Sequence, residues 1–300
     1  MPIRVEWPTL ALIAASYVAL LIGLFWLPKV SLVLAVGLLI LVIALQSSLQ
    51  HEVLHGHPFG RPWLDATLVF ASFNLFVPYM RFRDTHLAHH HDANLTDPYD
   101  DPESAYLDPA VWVRLPHWQK TLLGANNTLV GRVILGPLIG QIAFMASEWR
   151  AIRGGDRAVL RAWLWHIPPT AALVALVLVS PLSLTAYLAA CYGGLGLLKI
   201  RTYLEHQAHD RASGRTAIVE DRGLLAFLFL NNNLHVVHHM HPRLPWYRLP
   251  AHYRANRDRY LRRNGGYAYT NYAEVARRHL WTAKEPVPHP HYPGPATMQK

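Results

Sequence analysis

Two uncharged runs near the start of the chain, PTLALIAASYVALLIGLFWL at residues 8–27 and SLVLAVGLLILVIALQSSL at 31–49, constrain everything that follows. Each is about the ~20 residues a helix needs to cross a bilayer. No small-residue cleavage site separates them, so the first reads as a retained span and not as a signal peptide. A second pair, roughly 163–180 and 182–200, has the same character. The composition agrees: 52% of the 300 residues are hydrophobic and only 16% charged, more apolar than an ordinary soluble domain.

The turns inside the two pairs, Leu27-Pro28-Lys29-Val30 and Ser180-Pro181-Leu182, carry one cation between them, whereas Lys and Arg gather in 81–120, 148–161 and 243–284. The positive-inside rule therefore places the short turns outside and the basic stretches in the cytoplasm. That asymmetry accounts for the net charge of +9 without nucleic acid, for which no basic stripe with interleaved aromatics is present. Two further apolar stretches are interrupted, 63–80 by Asn74 and Pro78, and 121–147 by Asn126, Asn127, Arg132 and Pro137. Both read as interfacial or re-entrant segments whose polar backbone is covered by protein. The expected architecture is all-α: a polytopic membrane protein of four transmembrane helices, two partial segments and a cytoplasmic helical cap. A single domain is expected over 1–284, followed by a disordered tail over 285–300, which is polar and rich in Pro.

Histidine carries the chemistry. His51 and His55 have i, i+4 spacing; His86, His89 and His90 have i, i+3, i+4, and His235, His238 and His239 repeat it. Residues so spaced share a helix face, and the topology brings all three groups to one side of the membrane. Imidazole clusters without cysteine suit iron, copper or zinc, and eight ligands suit two ions better than one. The single cysteine, Cys191, lies in an apolar run and reads as a small buried hydrophobe. A further ligand is expected from RTYLEHQAH at 201–209, where His206 and His209 compete and Glu205 is a candidate acceptor for a ligand ring. Among Asp92, Asp97, Asp100, Asp101 and Glu103, which follow the second group, Asp97 and Asp101 are the candidates for bonding ligand rings. Asn232 is placed to cap the helix of the third group.

These three groups, written HxxxH, HxxHH and HxxHH, resemble the histidine boxes of the integral-membrane fatty acid desaturase and hydroxylase superfamily. The resemblance runs from about the second span to Pro250. It implies two iron ions, dioxygen as co-substrate, and removal of hydrogen from an unactivated C–H bond of a lipid with a long hydrocarbon portion. It also favours His206 over His209, since a further histidine often follows the last span in that family. His57, His91 and His241 extend the boxes beyond the family pattern and read as supporting or surface residues. The segment PWYRLP after the third group is similar to carotenoid ketolases, so carotenoid ketolation or hydroxylation is the alternative to acyl desaturation. No dinucleotide, flavin, cluster or haem motif occurs, so electrons are expected from a separate donor such as a ferredoxin or a cytochrome. Phe70, Phe73, Phe76 and Phe144 are candidates to line a substrate channel. A metal transporter is the competing class; both span pairs lack acidic residues and only His166 lies within one, which argues against it.

Overall fold

The computed structural model describes residues 5–91 and 94–292, apart from the side chain of His91. It is built almost wholly of helices. α1 (Trp7–Phe25) and α2 (Leu32–Leu54) form the first pair, and α9 (Arg157–Val179) and α10 (Leu184–Thr202) the second. Among the described residues three helical stretches, Trp7–Lys29, Leu32–Leu54 and Arg157–Val179, are long and apolar enough to cross a membrane. α10 has 19 residues and carries Lys199 and Arg201 in its last turn.

α2 is the central column, packed against α1 on one side and α10 on the other. Glycine makes the second contact close: a Cβ at Gly193 or Gly194 would fall 2.7 Å from Ile40 or 2.8 Å from Ile43. Leu24, Leu39, Ile43, Tyr187 and Cys191 are all shut off from solvent in the core between these helices, which bears out the reading of Cys191 as a buried hydrophobe.

Residues 63–80 do not form one helix. After α3 (Pro62–Thr67) the backbone is irregular from 68 to 78, then enters α4 (Tyr79–His91). Its polar groups are answered by side chains from the surrounding helices. Gln46 Nε2 lies 2.9 Å from the Ala71 carbonyl, Gln50 Nε2 lies 2.9 Å from both Val69 O and Ser72 Oγ, and Tyr187 Oη donates to Phe73 O at 2.8 Å. Tyr17 donates to Leu68 O at 2.9 Å, and the His166 ring meets Leu75 O at 3.0 Å. This explains why long apolar helices carry Gln46, Gln50 and His166: non-helical backbone among apolar helices needs partners supplied by protein.

The second interrupted stretch is likewise broken, into α6 (His117–Asn126), α7 (Leu129–Ile134) and α8 (Gly136–Arg153), preceded by α5 (Pro109–Arg114). On α8, Leu138, Ile142, Met145 and Trp149 are exposed along one stripe, the spacing of a face turned toward lipid. The remaining chain forms the cap: α11 (Leu224–Leu228), α12 (His235–Met240), α13 (Leu249–Arg263) and α14 (Tyr272–His279), with β1 (Ile218–Val219) parallel to β2 (Ala268–Tyr269).

Residues 285–292, expected as part of the tail, are bonded to the rest of the chain. Leu107 N donates to Val287 O at 3.0 Å and His289 N to Leu107 O at 2.8 Å. His289, buried, meets Thr96 Oγ1 at 3.1 Å, and Glu285 accepts from Tyr106 Oη. Composition pointed to disorder, but pairing with the 104–108 strand-like loop holds 285–292 in place. Residues 293–300 lie outside the described residues.

Candidate metal centre

Four chain segments bring nine histidines together below α2 and α10. α2 contributes His51 from its last turn and His55 from just beyond it; α4 contributes His86, His89 and His90; the loop after α10 contributes His206; and α12 contributes His235, His238 and His239. Their ring nitrogens sort into two sets, one of His51, His55, His86, His90 and His238, the other of His89, His206, His235 and His239. Within each set the candidate ligand atoms lie within 4.8 Å of one another.

Helix geometry does the sorting. On α4 the i, i+4 pair His86 and His90 turns to the first set, and His89 to the second. α12 reverses the assignment: His235 and His239 serve the second set, and His238 the first. Each helix lies between the two sets and feeds both.

The outer ring nitrogens are held from behind. His89 Nδ1 is 2.7 Å from Asp101 Oδ1, His86 Nδ1 is 2.9 Å from Glu103 Oε1, and His235 Nδ1 is 3.3 Å from Asn232 Oδ1. Asp101 also accepts from Thr96 N at 2.8 Å and Glu103 N at 2.9 Å, so its loop is fixed at both carboxylate oxygens. Glu205 is ion-paired with Arg201, Nε at 2.9 Å, accepts from Asn232 Nδ2 at 3.1 Å, and stands 3.6 Å from His235 Nδ1. Burial works against the charged forms of Asp101 and Glu103, but the His89 and His86 rings hold both carboxyls below their ordinary range. A carboxylate accepts only, so each of these rings donates through Nδ1, which leaves Nε2 as the atom turned inward.

That inward arrangement calls for cations. Nε2 of His51, His55 and His86 is buried with no hydrogen-bond partner. In the second set the Nε2 atoms of His89 and His206, of His206 and His235, and of His235 and His239 stand 3.0 Å apart. His90 and His238 do the same in the first. A neutral imidazole has one N–H, already spent on Nδ1 in His89 and His235, so His206 alone cannot satisfy the lone pairs aimed at it. Burial pushes His55 down to about 2 and His90 and His206 to about 3, whereas at His89 the bond to Asp101 and the Glu103 carboxylate outweigh burial and raise the pKa to about 9. Converging, buried imidazoles are a donor set that suits a first-row transition metal, which binds the rings in their neutral form.

Other expected residues lie elsewhere. His209 turns away: its Nδ1 meets Arg211 N at 3.0 Å, and the tight turn closed by Gly214 beneath it holds it there. Asp97 Oδ1 instead accepts from Tyr99 N at 2.8 Å and Asp100 N at 3.1 Å in an exposed turn, the usual work of Asp before such a loop. Asn232 does not cap α12, whose N-cap is Leu234 without a side-chain bond; it bridges Glu205 to His235 instead. Asp92 and the His91 side chain lie outside the described residues.

His57 sits 2.8 Å from Glu6 and 3.7 Å from Glu52, whose carboxylate also accepts from Trp246 N at 2.9 Å. Burial opposes its charge, yet the bond to Glu6 and the Glu52 carboxylate hold its pKa above the ordinary value, which makes the trio an ion-paired staple. Of the four phenylalanines, Phe73 and Phe76 belong to one core cluster. Phe73 is fully buried edge-on to Tyr17, Phe70 packs on Tyr79, and Phe144 on Trp163. Glu103 is the supporting residue that the sequence did not single out; it was one of five carboxylates in a loop, and only the fold of that loop distinguishes it.

Helices long and apolar enough to cross a membrane thus carry two polyhistidine sets, each of which could hold a metal ion. The sequence model of the family described as fatty acid desaturase matches residues 24–271, a stretch that includes all nine histidines, and the chain belongs to that family. Comparison with curated proteins and with solved structures finds no match.

Proposed function

We propose that the protein is an oxygen-dependent di-iron oxidase of the membrane that removes hydrogen from an unactivated C–H bond of a lipid, acting as a fatty acyl desaturase. The observation that carries this reading is the division of nine inward-facing imidazoles into a set of five and a set of four, within a chain of the desaturase family. His51, His55, His86, His90 and His238 would hold one iron, and His89, His206, His235 and His239 the other. When bound, a pair of ferrous ions supplies the activation of dioxygen that breaking such a bond requires.

The chain's own residues prepare that chemistry. Asp101, Glu103 and Asn232 fix three rings with their Nε2 atoms inward, so the ligands need little reorganisation. Burial of the ring set keeps water from the reacting centre. All-imidazole coordination leaves the charge of the metals uncompensated by ligand carboxylates, in contrast to soluble di-iron bundles. On this reading α1, α2, α9 and α10 all cross the bilayer, and the histidines and the arginine-rich cap lie on the cytoplasmic side. The exposed apolar stripe of α8 lies at the lipid boundary from which a hydrocarbon chain arrives. A separate protein supplies the electrons.

The test is metal analysis of the purified protein together with mass spectrometry of total lipids and pigments from cells with and without it. About two irons per chain and new double bonds in acyl chains are expected. Altered carotenoids with unchanged acyl chains would replace the acyl substrate, and zinc in place of iron would overturn the oxidase.

A further inference from the structure

The arginines of the cap are not spread evenly. α13 follows directly from α12 and packs on its back, with Leu249, Tyr253 and Tyr260 in one cluster with Val236 and Val237. Its outer surface exposes Arg254, Arg257, Arg259, Arg262 and Arg263 against the single acid Asp258. Arg257 is neutralised by Glu220 at 2.6 Å, while Arg254, Arg259 and Arg262 have no carboxylate within 4.0 Å among the described residues. No large apolar side chain on α13 is exposed, so this face has nothing to insert into a bilayer interface. The exposed apolar side chains nearest in sequence, Leu280 and Trp281, lie beyond α14.

The same helix leads inward to the histidines. The His252 ring on α13 lies 4.8 Å from that of His241, which is exposed. His241 N donates to the His238 carbonyl at 3.1 Å and to Val237 O at 2.9 Å. His241 is two residues beyond His239, about 3 Å along a helix axis. A contact at His252 is thus joined to His238 of the first set by two packed rings and one backbone hydrogen bond, and to His239 of the second along the short stretch of chain to His241.

We propose that the arginine face of α13 docks an acidic one-electron carrier protein, and that electrons pass from it by way of His252 and His241 toward His238 and His239. This rests on the oxidase reading above. Desaturation and hydroxylation each consume one dioxygen with two electrons and two protons from outside the substrate. Each docking event oxidises the carrier by one electron, so two events complete a turnover, with the protons drawn from water. A carrier that must bind and leave twice is well served by rim charges, which set encounter rate and salt dependence more than residence.

The test uses the full chain in lipid nanodiscs with two probes, an acidic plant-type ferredoxin and a small acidic haem cytochrome. The parent is expected to bind at least one, with affinity that falls as salt rises. The triple variant R254E/R259E/R262E should weaken that binding about tenfold or more while keeping the parent's iron content, and R254Q/R259Q/R262Q should lie between. His241→Ala and His252→Ala should leave the Kd unchanged and slow oxidation of the bound, prereduced carrier about tenfold, with reduction by methyl viologen unaffected. The proposal is overturned if neither probe binds the parent or if the charge-reversed variant binds as the parent does. It is also overturned if that variant loses affinity only for phosphatidylserine vesicles. Unaltered transfer in both histidine variants removes the path. A protein with bound iron and no lipid product would sink the oxidase reading, while the carrier's Kd still judges the docking surface.

Discussion

Nδ1 of His89 lies 2.7 Å from Oδ1 of Asp101, and neither side chain is more than 1% exposed. The carboxylate therefore decides which nitrogen of His89 faces the metal. Asp101→Asn keeps the shape but not the charge, and is expected to lower metal affinity about 10- to 100-fold, read by titration of the apo-protein with ferrous ion.

Glu103 plays the corresponding part for His86, in the other set. Glu103→Gln should therefore weaken the five-histidine site and Asp101→Asn the four-histidine site. Competition with a chelator, followed by Mössbauer spectroscopy, separates the two: the variants should lose different iron signals first. Loss of the same signal in both would break the assignment.

His206 and His209 are three residues apart, yet only His206 points at the second set. His206→Ala should reduce bound iron from about two per chain to about one, whereas His209→Ala should leave it unchanged. Elemental analysis of the purified variants reads this directly.

The irregular segment 68–78 depends on Gln50, whose amide serves both Val69 O and Ser72 Oγ. Gln50→Leu leaves Val69 O with only the longer 3.4 Å bond from Gln46 and takes the buried donor from Ser72 Oγ, and is expected to cost about 1–3 kcal/mol. A lowered unfolding midpoint in detergent, with iron content retained just below it, is the expected result.

Glu220 accepts from Arg257 Nε at 2.6 Å and from Tyr253 Oη at 2.7 Å, tying α13 to the strand β1. The Arg257 guanidinium holds its pKa below the ordinary value. Because the folded-state pKa is depressed, the stabilisation is present above the ordinary carboxylate range and is lost as pH falls through the folded value. Hydrogen exchange in α13 should quicken on acidification below about pH 4.5, and Glu220→Gln should show that faster exchange already at neutral pH.

Much of this was legible because histidine spacing is a statement about helix faces. His51 and His55, and the two i, i+3, i+4 triplets, could be read as one-sided groups, and Asn74 and Pro78 marked a segment that is indeed not helical. What spacing cannot give is which histidine of a triplet serves which set, since that depends on how α4 and α12 lie against each other. Loop carboxylates were less legible still. Asp97, Asp101 and Glu103 look alike in sequence, and the turn that sends Asp97 outward and the other two inward is set by contacts with Thr96 and the ligand rings. Residues 285–292 misled for a related reason: a Pro-rich stretch has little structure of its own, and its order comes from a partner loop far away in the chain.

The interleaving of α4 and α12 has a mechanical corollary. Because neighbouring residues of one helix belong to different sets, the spacing of the two sets is tied to the helical screw. A single residue inserted between His235 and His238 would swing His238 and His239, one donor of each set, through about 100° relative to His235, so one small change on α12 disturbs both sets together.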